Sequence, residues 1–273
     1  MLNLEGCSLA GYATWLFHQP SRILFDCGEG CAFNLKERIF AVETILLSHG
    51  HLDHISGLPS FFHAREFGKG HNNKPLRIIY PKGSLGVIKM KVYLEQEINN
   101  TQFQIEWIAV DAHQVVEVGR NLYVYCFPGR HIEGALTLGF QLFEVRRKLK
   151  EEYSCAPVDE IIRLKQSGTP ITNDYKHGLL TYSGDTVPLD KYGEYDGGIF
   201  CHECTFLNKN DIKYDVHSSF DGVMEVIKNK RIDALFLYHI SIRYALDEIH
   251  QFLSRQKFPV PVYYLYENKV HKV

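Results

Sequence analysis

Short apolar and β-branched runs recur along the chain, over residues 22–28, 44–49, 76–81, 103–111, 122–129, 137–144, 179–185, 198–204, 234–241 and 261–267. Their length and their bounding turn residues predict strands. Between them, apolar spacing near 3.6 predicts helices over 58–67, 85–98, 158–165, 220–230 and 245–255. Strands come in blocks early and alternate with helices late, the pattern of sheets that carry helices on their outer faces. Two stretches lack such order, GKGHNNKP at 68–75 and the polar region from Val145 to His177. Both read as surface excursions from one domain.

A chain of 273 residues with 45% hydrophobic content can fill the core of one large domain or two small ones. No run of eighteen apolar residues occurs, and the start MLNLEGCSLAGYATWLFHQP lacks the features of a secretory signal, so the expected compartment is the cytoplasm, without a membrane partner. The seven cysteines do not form a disulfide framework. Cys201 and Cys204 make a lone CxxC without a second pair, and buried reduced thiols are the better reading than a structural zinc. A net charge of −2 excludes a uniformly basic nucleic-acid-coating protein and leaves room for a local basic patch.

The densest chemistry lies in SHGHLDHISGLP, Ser48 to Pro59. His49 ends an apolar run, and His51, two residues on, can face the same point. Asp53 and His54 follow at the turn into a helix. Imidazole nitrogens and a carboxylate converging on one spot suit zinc or another first-row divalent ion. Two imidazoles on one side and an Asp with a His on the other could serve two ions rather than one.

HxHxDH after an apolar strand is the signature of the metallo-β-lactamase superfamily, which this sequence resembles over nearly its whole length. LFDCGEG at 24–30 is similar to the family's early strand and turn. His131 in PGRHIEG, Asp185 in YSGDTV and His239 in LYHISIRY follow in the family's order. The resemblance implies an αββα sandwich of α+β class, two mixed sheets with helices outside. It also implies two divalent metals, zinc first and manganese or iron as alternatives. His49, His51 and His131 would hold one ion; Asp53, His54 and His239 would hold the other, with Asp185 shared.

HECTF at 202–206 and VHSSF at 216–220 resemble the HEAT and HST segments of the ribonuclease Z branch, the tRNA 3′-end processing endonucleases. There a glutamate and a histidine pass a proton to the leaving oxygen, which carries the role to Glu203 and His217. His-Ser-Ser also reads as a cap for the helix that follows. HISIRY is similar to the branch's HISSRY, so Arg243 is a candidate phosphate contact, with an ordinary surface arginine an equal reading.

The resemblance weakens at the branch's long tRNA-binding arm. The whole of 1–273 reads as a single hydrolase domain, with only a short excursion at 145–177 in the arm's place. Arg146, Arg147, Lys148 and Lys150 there could touch a phosphate backbone, although a solvated helix face explains the run as well. The N-terminal GCSLAGYATWLF also lacks the branch's longer glycine-rich loop. The function implied is endonucleolytic hydrolysis of RNA, precursor tRNA first, by metal-activated water that Asp53 orients. A phosphodiesterase for small or cyclic nucleotides is the alternative, and a non-catalytic metal-binding sensor the second. Branch members are often homodimers.

Overall fold

A hairpin of β1 (Leu4–Leu9) and β2 (Ala13–His18) opens the fold, in a segment for which the apolar pattern predicted no strand. Gly6 and Ser8 interrupt the apolar signal of β1, while Thr14 and His18 interrupt that of β2; the hydroxyl-bearing Ser8 and Thr14 are nevertheless fully buried. The structure is a computed structural model that describes residues 2–68, 74–98 and 101–273. Most of the 68–75 excursion therefore lies outside the described residues.

The hairpin continues into β3 (Ile23–Phe25), β4 (Thr44–Leu46), β5 (Leu76–Pro81) and β6 (Ile105–Val110), which form a six-stranded sheet in sequence order. Its first three strands are antiparallel, and β3 to β6 run parallel. The second sheet has eight strands in sequence order: β7 (Val115–Gly119), β8 (Leu122–Gly129), β9 (Thr137–Leu149), β10 (Thr172–Tyr182), β11 (Ile199–Glu203), β12 (Ala234–Tyr238), β13 (Val262–Tyr266) and β14 (Lys269–Lys272). Here β10 to β13 are parallel neighbours and the rest are antiparallel. Parallel order places the C-terminal ends of β10, β11 and β12 side by side, with Glu203 opposite Tyr238.

Three apolar cores separate four layers. Leu16, Phe25 and Leu46 of the first sheet meet Phe140, Leu180 and Phe236 of the second in the middle. On one outside, α1 (Cys31–Leu35), α3 (Leu58–Phe67) and α4 (Leu85–Glu97) bury Leu35, Phe61, Phe62, Val87 and Leu94 against Leu24, Ile45 and Ile78. On the other, α6 (Phe220–Ile227) and α7 (Leu246–Ser254) bury Val223, Ile227, Ile249 and Leu253 against Leu235 and Leu237. Each such side chain contributes roughly 1.5–3 kcal/mol when fully buried. The architecture is the expected αββα sandwich.

The excursion after Glu144 takes a form that the sequence did not reveal. Strands β9 and β10 run on as a paired arm, Val145 opposite Lys176 and Leu149 opposite Thr172, and α5 (Val158–Gln166) lies between them in the chain. Most of the arm's strand side chains are exposed, so no apolar alternation marks it. Backbone ladder bonds and cross-strand pairs such as Arg147 with Asp174 hold it instead. All seven cysteines are free, and Cys27, Cys31, Cys126, Cys201 and Cys204 are buried. Among the described residues no helix is long and apolar enough to cross a membrane.

Two close backbone approaches seat the histidine loop. A Cβ on Gly57 would come within 2.0 Å of Gly28 O, and one on Gly86, at the start of α4, within 2.2 Å of Gly50 O. Only glycine fits at either position.

Candidate metal centre

Strand β4 ends at Leu46, earlier than the apolar run suggests, and Leu47 to His51 form a loop that leads into α2 (Leu52–Ile55), whose first turn carries Asp53 and His54. The loop reaches the second sheet through Leu138 N–H, which donates to Ser48 O at 2.9 Å. His131 lies between β8 and β9, Asp185 beyond β10, and His239 just past β12 with a left-handed φ of 60°. Ser8 Oγ accepts the His239 backbone N–H at 2.8 Å and holds that turn.

These elements bring all seven expected ligand residues together. The nitrogens of His49, His51 and His131 lie within 4.8 Å of one another, as do the ligand atoms of Asp53, His54 and His239. Asp185 Oδ2 stands between the two groups, 3.3 Å from His54 Nε2, 3.2 Å from His239 Nε2 and 3.8 Å from His131 Nε2.

The outer nitrogens of the imidazoles decide which nitrogen faces inward. His54 Nδ1 lies 2.7 Å from Asp26 Oδ2, and the carboxylate can only accept, so Nδ1 carries the proton. Ser48 Oγ donates to the same carboxylate at 2.8 Å and therefore accepts from His49 Nδ1 at 3.0 Å. His131 Nδ1 donates to Val216 O at 2.9 Å. In each case Nε2 is left to face the cluster, the arrangement by which metal-binding histidines are oriented. His49 Nε2, His54 Nε2 and Asp185 Oδ1 are buried without a hydrogen-bond partner. Buried polar atoms are seldom left so unless something else satisfies them.

The electrostatics agree with that fit. Burial drives His49 well below its ordinary pKa, and His54 beside it adds to the effect; burial likewise lowers His51 and His131. These imidazoles are therefore neutral near pH 7, the form that offers a lone pair. Burial would raise the Asp185 carboxyl, but the imidazoles of His239 and His54 hold it well below the usual carboxylate range. Burial opposes a proton on His54 too, yet Asp185 and Asp26 on its two sides keep it well above the usual imidazole value. The negative potential of those two carboxylates, which favours the proton there, equally favours a bound cation. The donor set is nitrogen and carboxylate oxygen, which fits two first-row divalent ions.

Glu203 and His217 border the cluster. Glu203 is fully buried, and its Oε1 accepts from His217 Nδ1 at 3.1 Å, Ser218 N–H at 2.9 Å and Thr186 N–H at 3.2 Å. His217 Nδ1 is also 4.0 Å from Asp185 Oδ2. Burial pulls His217 down, but the Glu203 carboxylate outweighs it and pushes the imidazole pKa up to about 9. Ser219, two residues on, accepts from Gly222 N–H at 3.4 Å and caps α6 as expected.

The three candidate substrate arginines are placed differently. Arg243 lies over the Phe206 ring at 4.9 Å and donates to Ser241 Oγ at 3.2 Å and Asp211 O at 3.3 Å. Phe206 in turn lies 6.4 Å from the His217 ring, so Arg243 borders the Glu203 side of the cluster. Arg146 and Arg147 stand on the arm, paired with Glu144 and Asp174. Asp26 in LFDCGEG had no expected role; its available signal is an aspartate closing an apolar strand, as Asp185 does in LLTYSGD. Nor had Gly11, whose backbone N–H donates to Asp53 Oδ2 at 3.1 Å from the β1–β2 turn.

A family described as the beta-lactamase superfamily domain matches residues 21–240. A ribonuclease Z of Methanocaldococcus jannaschii is 30% identical over 257 residues, covering 82% of this chain and 78% of its own. The chain belongs to the ribonuclease Z branch of the metallo-β-lactamase superfamily. The tRNase Z TRZ1 of Arabidopsis thaliana is 26% identical across 92% of this chain and 89% of its own. The short form of human tRNase Z superposes with a TM-score of 0.62 at 18% identity, over 88% of this chain and 93% of that one, which shows a shared fold. Membership of the ribonuclease Z branch makes the protein a metal-dependent hydrolase of ribonuclease class and sets aside the sensor reading.

Proposed function

We propose that the protein is an endoribonuclease that hydrolyses RNA phosphodiesters, with precursor tRNA as substrate. His49, His51 and His131 would hold one divalent ion, most simply zinc, and Asp53, His54 and His239 a second, with Asp185 between them. Such a pair of ions supplies Lewis acidity, polarising a phosphoryl oxygen and making water acidic enough to attack at neutral pH. Asp53, steadied by Gly11 N–H at 3.1 Å, orients the attacking water and takes its proton. The leaving oxygen takes a proton from His217, which Glu203 keeps cationic.

The observation that carries the reading is the pairing of buried Glu203 with part-buried His217, 3.1 Å apart and bordering the candidate ligand cluster. A leaving alkoxide needs a proton, and an imidazole held by a carboxylate is suited to deliver one. The names of the relatives support tRNA as the substrate. In this reading the chain forms one domain, the 145–177 arm stands in place of the branch's tRNA-binding arm, and the protein works in the cytoplasm as a homodimer. Arg243 is the arginine best placed to meet a substrate phosphate.

One observation favours the alternative of a small phosphodiester. Arg146, Arg147 and Lys150 of the arm face Glu144, Asp174 and Glu152, which cancel much of their charge. Zinc-loaded protein should therefore be incubated with a precursor tRNA, a cyclic nucleotide and bis(p-nitrophenyl) phosphate, beside an Asp185→Ala control. Metal-dependent cutting of the tRNA that the control lacks is the expected result. Cutting of the small esters alone would replace the substrate, and no cutting would reject the reaction class.

A further inference from the structure

We propose that Thr205 is a positioning residue whose single hydroxyl ties His239 of the metal centre to the Glu203–His217 pair. The turnover part of this proposal rests on the ribonuclease reading above; the metal part does not.

Thr205 follows β11 and is buried, two residues beyond Glu203. Its backbone N–H donates to Glu203 Oε2 at 3.0 Å, and its Oγ1 lies 2.8 Å from the same oxygen. The same Oγ1 lies 2.9 Å from His239 Nδ1. Glu203 is surrounded by donors, its Oε1 accepting from His217 Nδ1, Ser218 N–H and Thr186 N–H and its Oε2 from Thr205 N–H, the setting of a carboxylate. It can only accept, so the one hydroxyl proton of Thr205 points at Glu203. Toward His239 the hydroxyl then offers only lone pairs, and Nδ1 must carry the imidazole proton.

That choice fixes the other end of the ring. With the proton on Nδ1, His239 Nε2 is bare where it faces Asp53 Oδ2 at 3.4 Å and Asp185 Oδ2 at 3.2 Å. Without the hydroxyl, a buried N–H loses its acceptor and the tautomer with a bare Nε2 is no longer enforced. Glu203 loses one of its two Oε2 donors at the same time. His49, His54 and His131 have outer partners of their own, but none of these partners also touches Glu203; Thr205 alone among them serves both groups.

The test compares full-length Thr205→Val, which keeps the shape and removes the hydroxyl, with Thr205→Ser, which keeps the hydroxyl. Zinc affinity is read by competition with a chromophoric chelator, and kcat and KM on an RNA substrate are read at saturating zinc. Thr205→Val should bind zinc about 10- to 100-fold more weakly, the usual cost of losing such an outer partner, and should lose kcat with KM held. Thr205→Ser should restore both to within a few-fold of the parent. Combined with His217→Ala, the valine change should cost less turnover than it does alone.

Parental zinc affinity in Thr205→Val overturns the tie to His239, as does a serine variant no better than valine. Weakened zinc binding with kcat intact overturns the tie to Glu203. Should Thr205→Val not fold, Thr205→Ala carries the same comparison. If the parent protein binds zinc and cuts no RNA, the ribonuclease reading fails, and the zinc comparison still decides the role of Thr205 at His239.

Discussion

Asp26 Oδ2 and His54 Nδ1 lie 2.7 Å apart, on the side of the imidazole away from Asp185. The same carboxylate accepts from Ser48 N–H at 2.7 Å, Ser48 Oγ at 2.8 Å and Tyr182 OH at 2.7 Å. One buried group thus orients two candidate ligand histidines, His54 directly and His49 through Ser48. Replacing it with Asn substitutes two donor hydrogens for an accepting oxygen. Asp26→Asn should weaken metal binding by about 10- to 100-fold, measured by chelator competition. Parental affinity would leave Asp26 a folding role only.

His217 touches the cluster's edge while its Nδ1 is spent on Glu203. His217→Ala should therefore keep its full metal content, measured by atomic emission, and lose roughly 10²- to 10⁴-fold in kcat, the range for a general acid. Unchanged turnover would remove His217 from the mechanism.

Arg146 and Arg147 are successive strand residues, so their side chains point to opposite faces of the arm. If the arm meets RNA with one face, only one of the two touches it. The single glutamine variants should differ: one should raise KM for precursor tRNA and reduce the slope of log affinity against log salt by about 1, and the other should change neither. Hydrolysis of bis(p-nitrophenyl) phosphate should be untouched in both. Parental KM for tRNA in both variants would mean that the arginines only pair with Glu144 and Asp174.

The Glu203–His217 pair also makes the metal-free protein sensitive to alkali. The folded imidazole has a pKa of about 9, against about 6.5 in an unfolded chain. A raised value contributes stability that is fully present below about pH 6.5 and is lost as pH rises through about 9. In urea unfolding with a chelator present, the parent's advantage over His217→Ala should shrink by on the order of 2 kcal/mol between pH 6 and pH 9.5. A gap that stays constant would mean that the pair adds no charge-linked stability.

The parts of this fold that were legible in sequence are those with an apolar face. Ten runs marked ten strands, and the helix over Leu58–Phe67 was read with its observed bounds. The arm strands were invisible because few of their side chains are buried, and β1 because Gly6 and Ser8 dilute its pattern. The candidate ligand residues were legible because seven His and Asp side chains follow a known order. Asp26 and Thr205 were not, because their roles come from hydrogen bonds between strands distant in the chain. Thr205 meets His239 across 34 positions and Asp26 meets Tyr182 across 156, and no local spacing encodes either pairing.

The glycine contacts at Gly28–Gly57 and Gly50–Gly86 give the centre a mechanical character of its own. Main chain rests on main chain there, and no rotamer stands between the outer helix layer and the loop that carries His49 and His51. A displacement of α4 cannot be absorbed by a side chain turning aside; it moves the loop as one gear tooth moves the next. Repacking of that outer layer, far from any ligand, therefore retunes the spacing of the donor atoms.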